Sequence, residues 1–131
     1  MDSNLTTLAR ALVALPGFEW RAGMLAVEDG GPGAVRVTDA TVMVVGTGQH
    51  STYFRDWVLT RKGRGWLPDL TDDATGGCLL AMLGPGWAAR RTESRWAVFR
   101  PGVSVLEDPD IYGQSLAEAA ARALVAIGRV P

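Results

Sequence analysis

Glycine and proline cut this chain at short intervals, and that punctuation limits what it can build. Breaks fall at Pro16-Gly17, Asp29-Gly30-Gly31-Pro32-Gly33, Gly46-Thr47-Gly48, Gly84-Pro85-Gly86, Pro101-Gly102 and Gly128. Glycine adopts backbone that other residues resist, and proline has no N–H with which to continue a helix or a ladder. The longest charge-free, apolar-leaning stretch, Ala74 to Ala89, contains Gly76, Gly77, Gly84, Pro85 and Gly86. It is too short and too broken to span a bilayer.

Between the breaks, the hydrophobic period alternates between that of helices and that of strands. Leu5, Leu8, Leu12 and Leu15 share one helical face, which predicts a helix over 3–15 with Ser3 as its N-cap. The region 24–62 is rich in β-branched and aromatic residues and predicts strands near Val35–Val37, Thr41–Val45 and Ser51–Thr60. A connector with Pro68 follows over Gly63–Leu70. A second helix is expected over 71–83, capped by Thr71 or Asp72. Its apolar run, Cys78-Leu79-Leu80-Ala81-Met82-Leu83, leaves no polar face and predicts burial. Gly76 and Gly77 suit close backbone packing. The region 87–106 reads as two or three strands, with Trp96 and Val98 alternating with Ala97 and Phe99, and Val103 and Val105 resuming after Pro101-Gly102. Glu107–Gly113 reads as an acidic loop. The last helix, 115–128, carries the capping box Ser115-Leu116-Ala117-Glu118, and Leu116, Ala120, Leu124 and Ile127 line one face. The expected architecture is α+β: one domain over 1–131, with a single antiparallel sheet packed by about three helices.

Composition narrows the chemistry. The 131 residues are 47% hydrophobic and 21% charged, which argues for a core rather than disorder. A net charge of −1 excludes coating nucleic acid by bulk electrostatics, though not a local basic patch. One cysteine cannot form an internal disulfide, and one histidine cannot build a His-rich metal site. Cys78 lies in an apolar run and reads as an inert core thiol. His50 and Ser51 are adjacent, so in a strand they point to opposite faces. No Gly-x-Ser-x-Gly elbow and no phosphate-cradling motif occurs, and the lone lysine, Lys62, is followed by Gly63. Asp69, Asp72, Asp73, Glu107, Asp108 and Asp110 lie in two acidic regions. They suit either solvated carboxylates or an oxygen-ligand cation site. The expectation is no catalytic residue, no metal and no cofactor.

Twelve arginines accompany that single lysine, a bias that codon usage in a GC-rich genome accounts for. Two arginine clusters stand beside tryptophans. Arg61, Lys62 and Arg64 precede Trp66, and Arg90, Arg91 and Arg95 lie between Trp87 and Trp96. Such clusters suit phosphate contact and base stacking, and they suit acidic protein surfaces equally well. They also suit an ordinary charged hairpin.

Three segments carry a resemblance. They are Leu67-Pro68-Asp69-Leu70-Thr71-Asp72-Asp73-Ala74-Thr75-Gly76-Gly77-Cys78-Leu79-Leu80-Ala81, then Arg95-Trp96-Ala97-Val98-Phe99, then Gly113-Gln114-Ser115-Leu116-Ala117-Glu118-Ala119-Ala120-Ala121-Arg122-Ala123-Leu124. In that order they resemble small phage and prophage proteins of the α/β/α (ABA) sandwich type. Asp73 stands where the usual pattern has proline. The resemblance covers about half the chain, and its motifs are scaffold motifs that transfer no catalytic residue. It implies a phage or mobile-element origin, where small proteins act by binding host proteins.

The leading functional expectation is therefore a non-enzymatic protein-binding module, of the kind that inhibits a bacterial defence protein as anti-CRISPR proteins do. Arg61, Lys62, Arg64, Trp66, Arg90, Arg91 and Arg95 are its candidate contacts. The alternatives are a nucleic-acid-binding accessory protein using the same residues, and a small metal-dependent enzyme using the acidic ones. A homodimer fits the tryptophan count. The opening Met1-Asp2-Ser3-Asn4 lacks the basic start of a signal peptide, so the expected location is the bacterial cytoplasm, with no membrane association.

Overall fold

A computed structural model describes residues 1–60, 65–103 and 111–131. The class is α+β, as the periodicity predicts. Helix α1 (Ser3–Val13) leads into strands β1 (Leu25–Glu28), β2 (Ala34–Val37) and β3 (Val42–Val44), then the short helix α2 (Arg55–Thr60) and strand β4 (Trp66–Pro68). Helix α3 (Asp73–Met82) separates these from β5 (Ala88–Arg91), β6 (Trp96–Phe99) and β7 (Ile111–Gly113), and helix α4 (Leu116–Ile127) follows.

The strands form two antiparallel sheets rather than the single sheet expected, in the orders β3-β2-β1-β4 and β5-β6-β7. The division falls at α3, because a buried helix between two groups of short strands prevents one continuous ladder. Helix α4 joins the two halves. It packs against α1, α3, β6 and β7. Ala117, Ala119, Ala120, Ala121, Ala123 and Leu124 are all buried. The expected stripe of large residues is thus only part of its contact surface. Alanine's small side chain lets neighbours approach α4 on most sides.

Several boundaries differ from the sequence reading. The N-cap of α1 is Asp2, whose carboxylate accepts the Leu5 N–H, and not Ser3. Asp72 caps α3, and Ser115 caps α4 through the Glu118 N–H. Helix α3 is buried along Thr75, Gly76, Leu79 and Met82, whereas Ala74, Gly77 and Ala81 are exposed. Of its two glycines only Gly76 is a packing site: a Cβ there would stand 2.9 Å from the Ala117 nitrogen of α4.

The segment 51–60 is not a strand. Its second half is α2, held by Arg55, whose N–H donates to the Ala40 carbonyl and whose guanidinium donates to the Thr38 carbonyl. These tertiary bonds override the β propensity of Tyr53, Phe54 and Trp57. The connector contains β4, an outer strand that tolerates Pro68 because proline offers no N–H to a further neighbour. Val103 is exposed and outside any strand, Val105 lies outside the described residues, and the third strand of the second sheet is β7 within the expected acidic loop.

Candidate functional site

Two forked arginine–carboxylate pairs tie the surroundings of the first sheet into the fold. Arg36 on β2 forms a two-pronged pair with Asp72, at 2.7 and 3.1 Å, and also donates to the Gly23 carbonyl at 3.0 Å. The same carboxylate accepts the Thr75 N–H and hydroxyl, both at 2.9 Å, and the Thr75 hydroxyl oxygen accepts the Leu25 N–H of β1. Burial alone would raise the Asp72 pKa, but Arg36 and the two Thr75 donors outweigh it and hold it below the ordinary carboxylate value. Arg10 pairs with Asp29 in the same forked manner at 2.9 and 2.7 Å, on the surface.

Among the described residues the candidate chemical groups do not converge. Among the described residues no three His, Cys, Asp or Glu side chains are grouped so as to hold a metal ion. Asp72 is committed to Arg36, and Asp69 accepts from the Thr71 N–H and hydroxyl. Glu107, Asp108 and Asp110 lie outside the described residues. Cys78 is half-buried, its Sγ 3.4 Å from the Ala22 carbonyl, and burial pushes its thiol pKa up, against the pull of Arg21. No helix of the described residues is long and apolar enough to cross a membrane.

Two open clefts flank the first sheet. One, of 570 Å³, lies between α1 and the Glu28–Gly33 turn and includes the Arg10–Asp29 pair. The other, of 370 Å³, is walled by Val35, Val42, Val44, Val58, His50 and Trp66. Trp66 is 7% exposed, a core side chain rather than the exposed anchor expected beside the arginines. Its Nε1 has no hydrogen-bond partner among the described residues.

The arginine clusters divide. Arg61, Lys62 and Arg64 lie outside the described residues. Arg90 and Arg91 stand exposed on β5, and Arg95 stands exposed in the turn before β6. The register sets Arg90 opposite Ala97 and Arg91 opposite Trp96, so the two arginines leave the sheet on opposite faces. Arg95 lies over the Tyr112 ring at 3.6 Å and Arg90 over Phe99 at 5.9 Å. These contacts position the guanidinium groups without neutralising them.

Among the described residues, the most exposed large apolar side chain belongs to a cluster missed in the sequence. Phe54 is 78% exposed, Tyr53 56% and Trp57 47%. Tyr53 and Trp57 stack, with ring centroids 4.3 Å apart. The Thr41 hydroxyl bonds the Ser51 and Tyr53 carbonyls, which fixes this segment against the β2–β3 hairpin. Helix α2 buries Leu59 and half-buries Val58, leaving Trp57 outward. Val44 and Val45, at the end of β3, are exposed as well. Three aromatics within five residues were the available signal. The other tryptophans, Trp20, Trp66, Trp87 and Trp96, are buried or half-buried.

Comparison with family models, with curated proteins and with solved structures found no match to this chain.

Proposed function

We propose that the chain is a non-enzymatic protein-binding module that engages a partner through the aromatic surface at α2. The observation that carries this reading is the exposure of Phe54, Tyr53 and Trp57 on a segment pinned to the first sheet. Large aromatic side chains are unfavourable in water and are enriched among the residues that dominate binding energy. Anchoring by Thr41 and Arg55 means little ordering entropy is lost on docking. The finer reading is that the partner is a bacterial defence protein, and its support is the resemblance of 67–81, 95–99 and 113–124 to small phage proteins.

The test compares the chain with its Phe54→Ser/Trp57→Ser variant. Partners retained from bacterial lysates by the wild type are purified and titrated against both proteins. Direct binding by the wild type, weakened at least about tenfold in the variant, is the expected result. Equal binding by a variant with an unchanged circular dichroism spectrum overturns the α2 reading. Light scattering of the wild type separates this from self-association through the same surface.

A further inference from the structure

We propose that the outer edge of β5 accepts an acidic, extended segment of a partner protein as an added strand. This surface is distinct from α2, and the two readings stand or fall separately.

The sheet edges are treated differently along the chain. The outer side of β3 is occupied by the chain itself: the Val44 N–H donates to the Gln49 carbonyl at 2.8 Å, and the Ser51 N–H donates to the Val42 carbonyl at 2.9 Å. The outer strand β4 carries Pro68 and packs against α1. Strand β5 has neither device. It pairs with β6 on one side, packs substantially against no other element, and no described backbone group bonds its outer side. An outer strand in this state offers alternating N–H and C=O groups to a new strand.

Its charges select what can pair there. Arg90, Arg91 and Arg95 have no carboxylate partner among the described residues. A second copy pairing edge to edge would bring arginines against arginines, which like-charge repulsion disfavours. A segment with glutamate or aspartate on both of its faces would meet Arg90 on one side and Arg91 on the other. Nucleic acid would match the guanidinium groups but leave the strand's carbonyls without donors at regular spacing. A peptide backbone matches both backbone groups, so the edge favours acidic peptide over nucleic acid.

Fluorescence anisotropy on the full chain at low salt tests this with three labelled probes. They are a peptide of glutamates and valines, a peptide of the same charge interspersed with prolines, and single-stranded DNA. The first is expected to bind, and to slow amide exchange at Ala88–Arg91. Affinity should fall at least about tenfold in Arg90→Glu/Arg91→Glu, and also fall in the milder Arg90→Ala/Arg91→Ala. Equal binding of the proline peptide, tighter binding of DNA, or no binding of the first peptide overturns the proposal. Loss of binding in α2 variants alone would place the probe on the other surface and overturn it too.

Discussion

Arg36 and Arg91 sit on strands of the two sheets in opposite circumstances. Arg36 makes three hydrogen bonds to Asp72 and Gly23, at a junction where β1, β2 and α3 meet. Arg91 is exposed on an outer strand and has no carboxylate partner among the described residues. The first is part of the scaffold, and its removal should be felt in folding. The second contributes nothing to the fold that water would not supply equally well. The contrast separates arginines that hold the molecule together from those available to something else.

The sharpest way to break the contrast is Asp72→Ala. It removes the N-cap of α3 and leaves Arg36 half-buried without its counter-charge. A loss of about 2–3 kcal/mol is expected from urea denaturation. Thr75→Val keeps the volume but removes the acceptor for the Leu25 N–H, and should cost about 1–2 kcal/mol by the same measurement. Asp72→Asn tests the charge itself. The folded pKa of Asp72 lies below its ordinary value, so its ionised form stabilises the fold above that value, about 3.9. The contribution fades as pH falls through the lower folded value. Unfolding midpoints measured downward from about pH 5 should therefore decline less steeply in Asp72→Asn than in the wild type. Smallest of all, Arg90→Glu/Arg91→Glu should change stability by no more than about 0.5 kcal/mol. A large destabilisation there would place β5 in the scaffold and erase the distinction.

Periodicity made the long helices legible. The Ser115 N-cap and Gly128 stop of α4 are found as read, and Gly128 adopts the left-handed φ of 84° that ends the helix. One half of the capping box is displaced: the Glu118 carboxylate accepts the Gln114 N–H at 2.6 Å rather than that of Ser115. Short elements were not legible. β4 and β7 are three residues each, too brief to show a period, and one carries proline while the other adjoins acidic residues. In 51–60 local propensity pointed to a strand, and bonds from Arg55 to the Ala40 and Thr38 carbonyls and from the Thr41 hydroxyl to the Ser51 carbonyl made it a loop and α2 instead. The candidate site suffered the same way. The exposure of Arg90 and Arg91 follows from their charge. That β5 has no outer neighbour among the described residues depends on where the chain goes next, and no pattern of apolar residues records that. The aromatics of α2 were hidden because the same residues set 51–60 down as a strand.

The docking of α1 against α4 carries a consequence for how the chain matures. Nearly the whole sequence separates these helices, yet α1 sets the buried Ala9 and Leu12 in the same core as Ala120 and Leu124, and the Val130 N–H donates to the Pro16 carbonyl at 2.9 Å. The strands of each sheet come from neighbouring stretches of chain and have partners soon after synthesis. Helix α1 packs against β4 as well as α4, so part of its apolar face is covered once 66–68 is made and the rest only when α4 appears. Its seating is complete only when α4 arrives, and slowing translation across 116–127 would lengthen the interval in which the rest of that face is open to aggregation.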